Sequence, residues 1–523
     1  MADPQTASRV PDLSLKAVMT RVRTGVLQMT LNHAVAGITP LCLIPLYLRA
    51  WGPGGYGHWV SLTALVSYVT LLDLGGQTFF GNLMAREFSR GDDSGLRRRL
   101  CEGVSLFVLI SAASLCVLAL LVCWPLSSPG RHMLYWNTSD RCVLLFMGST
   151  FLLAIPGGVY AAAYRSTGLF SRGVLVGNVI RPITTAFSIG LLLEGVGQGV
   201  FSVTYFISNM IGTAVIVADT RRQIPACRHV RISLAAARAG FGNLAGALHF
   251  WLLALANGLN QQGVILVLAA LAGRTSVSVY ASHRAMAGLV GYAGTVLQGP
   301  LWPELTFVHA RNDHAGMRSI SQAAVQLVLF VSAILAVVLW AGAPFIYRSW
   351  TGNRLLFDPW LFALCLAQPV LAAGWSTSAW VLTATNRHQG LAYWAVANGA
   401  VTIALAFWLV PLKGTLGAAI ANLSGDLFCG AVVYPVLASR YLFIRVREVC
   451  MWLLRPLVLA FAAGLIIVAG GAVASGWTLV ILRVGIGLVS AYLGTQFILR
   501  RGQRTWSEMA AAEALPAGAA GQP

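Results

Sequence analysis

Charge is scarce in this chain. Only 10% of its 523 residues are Asp, Glu, Lys or Arg, and the acids number 17 against 36 cations. Lysine occurs at Lys16 and Lys413 alone, so nearly every cation is an arginine, the side chain that grips phosphate bidentately. Long polar stretches are also missing: the longest loop on the sparsely charged side, Pro125 to Asp140, is about 16 residues. That is too little for the catalytic groups of a membrane glycan polymerase or ligase, and the chain is not expected to be an enzyme. The nine cysteines show neither metal-ligand spacing nor a disulfide framework. No metal and no cofactor are therefore expected, although Cys123 and Cys142 flank that loop and could pair.

Apolar sequence fills the space that charge leaves. Hydrophobic residues make up 57% and mean hydropathy is +0.72. Fourteen runs, each of about 20 residues, are long enough for a helix to cross ~30 Å of hydrocarbon. They fall at 25–48, 57–80, 101–124, 141–164, 174–193, 200–218, 242–265, 277–299, 321–345, 359–384, 391–410, 417–437, 453–473 and 478–499. Loops on one side carry 26 of the Lys and Arg and loops on the other carry seven, which places both termini in the cytoplasm of a multi-pass inner-membrane protein. The net charge of +19 is thus spread over short segments, not gathered on one soluble face, and argues against a nucleic-acid partner. Clusters such as Arg97-Arg98-Arg99 and Arg221-Arg222 suit anionic membrane lipids instead.

The predicted fold is all-α and polytopic: two parallel six-helix repeats plus two extra C-terminal helices. Residues 1–24 read as an amphipathic lead-in, 25–218 as the first half, and 219–241 as a basic linker with five Arg. Residues 242–437 form the second half, 453–499 the added pair, and 500–523 an Ala/Gly/Pro-rich disordered tail. Tyr56-Gly57 followed by Arg90-Gly91-Asp92 is echoed by Tyr280-Ala281 followed by Arg311-Asn312-Asp313. Parallel repeats of this kind place substrate between the halves.

Ionisable or polar residues inside a span are functional candidates, because each costs several kcal/mol unless it meets a partner or water. Asn178, Arg181, Thr184, Thr185 and Ser188 recur at helical spacing in the fifth span, and Arg284, Gly288, Gly291, Thr295 and Gln298 in the eighth. Thr63, Ser67, Thr70, Asp73 and Gln77 do so in the second, and His249, Asn257, Asn260 and Gln261 share an arc of the seventh. Small-residue stripes also serve plain helix packing, but packing has no need of a buried guanidinium. Arg284, Arg181, Asn178, Thr295, Gln298, Asn260, His249 and Gln77 are the cavity candidates. Asp73 and Asp426 are candidates for ion coupling, with a helix cap the competing role for Asp73.

The segment Ile44-Pro45-Leu46-Tyr47-Leu48-Arg49, with Trp51-Gly52-Pro53 and Tyr56-Gly57, resembles the first hairpin of Wzx-like polysaccharide flippases. Leu71-Leu72-Asp73-Leu74-Gly75 before Arg86-Glu87, Val279-Tyr280-Ala281 with Arg284, and Leu301-Trp302-Pro303-Glu304 extend the resemblance. Those flippases belong to the multidrug/oligosaccharidyl-lipid/polysaccharide exporter superfamily. The resemblance implies translocation of an undecaprenyl-diphosphate-linked oligosaccharide from the cytoplasmic to the periplasmic leaflet, for O-antigen, lipopolysaccharide or exopolysaccharide assembly. Polysaccharide polymerase and export machinery are the implied protein partners. One departure stands out: Gln262-Gly263 occupies the place in the seventh span where relatives carry an acid–base pair. A drug/cation antiporter or a lipid II flippase of the same superfamily remains the alternative.

Overall fold

A computed structural model describes residues 15–123, 137–298, 314–384, 389–442, 444–470 and 485–487. The first 14 residues, the motifs at 301–304, 311–313 and 386–388, most of the last expected span and the 500–523 tail lie outside the described residues. What is described is helical, as it must be if lipid surrounds it. With no water to satisfy N–H and C=O groups, only internally bonded backbone is stable in hydrocarbon. Nine helical stretches among the described residues are long and apolar enough to cross a membrane. Large apolar side chains such as Leu120, Ile183 and Ile211 are more than half exposed, the surface a bilayer covers.

The described chain divides into two compact units, Met1–Ala281 and Ser282–Pro523. In the first, α1 (Leu15–Ser67) contains what the hydropathy pattern separates into two spans. Instead of a loop at 49–56, a single residue, Gly52 at φ +70°, breaks the helix. Pro53 follows it, and the residue before a proline is pushed out of the α region. The expectation of one helix over 57–80 is corrected. The chain tightens into a 3₁₀ turn at Tyr68–Asp73, passes through left-handed Leu74 and Gly75, and resumes as α2 (Gly76–Ser89). Tyr68 Oη and Trp251 Nε1 donate to the carbonyls of Gly258 and Leu71, so the break is pinned by hydrogen bonds to and from the seventh apolar run.

The first unit continues with α3 (Asp93–Cys123), α4 (Thr138–Ser166), α5 (Phe170–Leu193) and α6 (Gln198–Gln223). Its core packs Phe80, Met84, Leu100, Phe107, Leu152 and Val159 among α2, α3 and α4. The expected linker 219–241 is partly helical, with α6 running on to Gln223. Helix α7 (Leu234–Asn243) lies on α3 at Gly240, where a Cβ would stand 2.7 Å from the Glu102 carbonyl oxygen. Beyond it come α8 (Leu248–Gly258), a π-helical segment Leu259–Gly263, and α9 (Val264–Ala272). Cys123 and Cys142 are both free thiols.

Helix α10 (Arg274–Gln298) begins in the first unit and ends in the second. Its first turns belong with α1, because Gly57 lets the Arg274 carbonyl press against it and Ser278 Oγ donates to the Pro53 carbonyl. The second unit holds the rest of α10, then α11 (His314–Thr351), α12 (Pro359–Ala384), α13 (Gln389–Lys413) and α14 (Thr415–Gly425). A second π-helical segment, Asp426–Val433, leads to α15 (Tyr434–Leu442), and α16 (Val446–Gly470) follows.

Asp92 starts α3. Its carboxylate accepts from Ser94 Oγ at 2.6 Å and from the Gly95 N–H at 2.8 Å, and these bonds hold its pKa below the usual carboxylate range. A depressed folded value means the cap stabilises above the unfolded pKa near 4 and is lost as pH falls through the folded value. Asp92→Ala is expected to lower the melting temperature by a constant amount from pH 8 to 5, with the gap closing in more acidic solution. Thermal unfolding of both proteins across pH measures it.

Candidate functional site

Inside the first unit, α1, α2, α4, α5 and α6 surround an open cavity of about 460 Å³. Its polar wall is Asn32, Gln77, Thr78, Tyr164 and Arg165, and no Asp or Glu among the described residues lines it. Glycines make the space. A Cβ on Gly158 would stand 2.2 Å from Gln77 Oε1, so α4 admits the Gln77 side chain only because residue 158 has none. Gly173 does the same for Tyr164, whose side chain a Cβ there would meet at 2.9 Å, and Gly177 also lines the cavity.

Arg181 does not itself line the cavity, but its Nη1 donates to Asn32 Oδ1 at 3.0 Å. The bond links α5 to α1 and fixes which way the Asn32 amide points. Asp73 is one turn ahead of Gln77 and accepts from its backbone N–H at 3.2 Å, capping α2 where the helix resumes after the break. At the rim, Tyr164 Oη donates to Asp219 Oδ2 at 2.6 Å. Arg172 grips the same carboxylate with both nitrogens, Nη2 to Oδ1 at 2.7 Å and Nε to Oδ2 at 2.9 Å. Arg172 is 43% exposed, so solvent screens the pair and it is worth roughly 0.2–1 kcal/mol.

Of the sequence candidates, Gln77 lines the cavity. Arg181 and Asp73 do not, but each bonds to a lining residue, Asn32 and Gln77 respectively, and Asn178 follows the lining residue Gly177 in α5. The other first-unit candidates lie apart from the cavity. His249 is half-buried in α8, and Asn260 sits in the π segment with its side-chain oxygen buried and no hydrogen-bond partner among the described residues. In the second unit, Arg284 is half-buried beside His283. That histidine is fully buried 4.3 Å from the Tyr347 ring, its Nε2 accepting the Asp358 N–H. The Thr295 hydroxyl donates to the Tyr292 carbonyl of its own helix, and Gln298 Nε2 to Ser376 Oγ at 2.6 Å. Asp426 is buried at the first residue of the second π segment. Gln368 Nε2 donates to it at 2.9 Å and Asn398 Nδ2 at 3.4 Å. Both of these donors are neutral amides.

No family model and no curated protein matches the sequence. Solved structures do match. A structure described as "Lipid II flippase MurJ, inward closed conformation" aligns with a TM-score of 0.64 at 12% identity, over 92% of this chain and 98% of that one. This chain has the fold of the MOP-superfamily transporters. An inward-facing multidrug resistance MATE transporter of that superfamily aligns at a TM-score of 0.53 and 13% identity, over 79% and 94% of the two chains. A MOP transporter from Pyrococcus furiosus, described as having a binding pocket of reverse polarity, gives 0.52 at 13%, over 81% and 95%. At such identities the MOP fold is what the likeness carries.

Within that fold, sequence reasoning missed Arg165, Thr78, Tyr164 and the Arg172–Asp219 pair. The signal was present: Arg165 and Arg172 bracket a short turn and were counted with the charges that set topology. Gly158→Val is expected to displace Gln77, fill the cavity and cut transport about tenfold or more while the protein still reaches the membrane. Transport in proteoliposomes checks this, and a wild-type rate from a stably folded Gly158→Val protein would remove the cavity from the pathway.

Proposed function

We propose that the protein is a flippase carrying a polyprenyl-diphosphate-linked oligosaccharide, undecaprenyl-linked in a bacterium, from the cytoplasmic to the outer leaflet of the inner membrane. The observation that carries this reading is a cavity in a MOP fold whose lining, among the described residues, holds a guanidinium, Arg165, and no acid, with Arg181 one hydrogen bond behind Asn32. A diphosphate is the group such a wall accommodates, through charge-assisted bonds in a medium of low dielectric. Gln77, Thr78 and Asn32 offer amide and hydroxyl partners to a sugar. The match to a lipid II flippase along nearly the whole of that chain supports a lipid-borne substrate. Arg284 is the second unit's candidate phosphate ligand, on the strength of its polar stripe.

Arginine-rich loops and an exposed basic run at Arg228, Arg231 and Arg238 suit an anionic inner leaflet, with both termini on that side. Alternating access supplies the motion and no covalent step is required. Asp426 is the group for ion coupling. A second reading, a drug/cation antiporter, draws on the MATE likeness and on that same buried carboxylate.

The deciding experiment is the leaflet distribution of lipid-linked oligosaccharide in cells lacking the gene. Cytoplasmic-side accumulation is expected, relieved by wild type, and relieved about 10- to 100-fold less well by Arg181→Ala or Arg284→Ala if each gives a hydrogen bond to a charged group. An unchanged lipid pool with lost resistance to cationic drugs would select the antiporter. Asp426→Asn keeps the shape and the amide neighbours but cannot hold a proton. Transport by this variant is expected to lose its response to an imposed proton or sodium gradient, measured in proteoliposomes, with little change in melting temperature.

A further inference from the structure

The clasp at the cavity rim holds a cation that the proposed function has not used. Arg172 lies between two lining residues, Phe170 and Gly173, in the first turn of α5. Its guanidinium is bidentate on Asp219 in the last turns of α6, and the same carboxylate accepts from Tyr164, whose ring lines the cavity. One carboxylate therefore ties three helices together across the mouth.

We infer that this clasp is an ion-pair exchange site: the diphosphate of an arriving lipid takes Arg172 from Asp219, and Asp219 turns to Arg222. The inference rests on the flippase reading and extends it to the loading step. Three features favour exchange over a fixed strut. The Arg172 side chain is 43% exposed, so water compensates for its release from Asp219. The bidentate fork that fits a carboxylate fits a phosphate equally, and a diphosphate brings more charge. Asp219 also has an alternative cation, since Arg222 is three residues on in the same helix, an i,i+3 neighbour whose charge already acts on it.

Asp219 is then a guard. While paired, it masks Arg172 and repels anions from the mouth; once displaced, it releases Tyr164 and loosens α4 from α6. Arg172 would hand the diphosphate to Arg165, the cation lining the wall. Neutral lipids gain nothing at such a mouth, so the clasp selects for the phosphorylated carrier before any sugar is read.

The test uses the full-length protein in nanodiscs, with binding of undecaprenyl diphosphate and of neutral undecaprenol measured for four forms. Wild type is expected to prefer the diphosphate. Asp219→Asn, which keeps the shape and can still accept from Tyr164, is expected to bind it about three- to tenfold more tightly. Arg172→Gln is expected to weaken binding about tenfold, and the double variant to match Arg172→Gln within about twofold, since the guard matters only through the residue it masks. A structural strut gives another pattern, with both single variants binding equally well or equally worse, and that result overturns the exchange while leaving the flippase reading intact. A wild-type protein that does not distinguish undecaprenyl diphosphate from undecaprenol removes the flippase reading and the exchange with it. Inorganic pyrophosphate is titrated in parallel. The same order of variants with it assigns the effect to the diphosphate itself, and an order kept only with the lipid assigns it to the lipid-borne group.

Discussion

Hydrocarbon leaves a backbone amide nothing to bond to except its own helix, and the placement of chemistry in this chain follows from that constraint. Regular α-helix satisfies every group and offers little to a ligand. The useful polar side chains gather where regularity fails: Asp73 and Gln77 at the 3₁₀ break, Asn260 in the first π segment, and Asp426 at the head of the second. Each irregularity is anchored by partners from other helices, as Trp251 and Tyr68 anchor the break in the second run. Breaks that would unravel in isolation are held by tertiary hydrogen bonds.

The architecture was legible because membrane spans announce themselves by length and hydropathy, and because helices are the one structure such runs can form. Less legible was how helices end. A loop was expected at 49–56, yet Gly52 and Pro53 bend the chain in one step, an economy that hydropathy averaged over a window cannot register. The stripe in the seventh run was read with one helical phase from His249 to Gln261. The π segment from Leu259 carries more residues per turn, so side chains beyond it fall behind the phase that precedes it.

The site was legible in part for a related reason. Periodicity found Arg181 and Gln77, since both lie on helical faces rich in polar residues. It passed over Arg165, which ends a span and looks like one more charge that sets topology. It also passed over the clasp, whose members come from three helices and stand 55 residues apart between Tyr164 and Asp219. Spacing along one helix cannot show a pairing across three. Arg181 illustrates the remaining gap: its partner, Asn32, lies in the first run, outside the polar stripes that periodicity picks out.

The cavity has a thermodynamic consequence through its size. Space of about 460 Å³ corresponds to on the order of fifteen water molecules at liquid density. A polar wall with a guanidinium keeps that volume hydrated, so a headgroup enters by exchanging places with solvent. Loading is then coupled to water activity: osmolytes too large to enter draw water from the pocket and raise apparent affinity, in proportion to the number of molecules expelled.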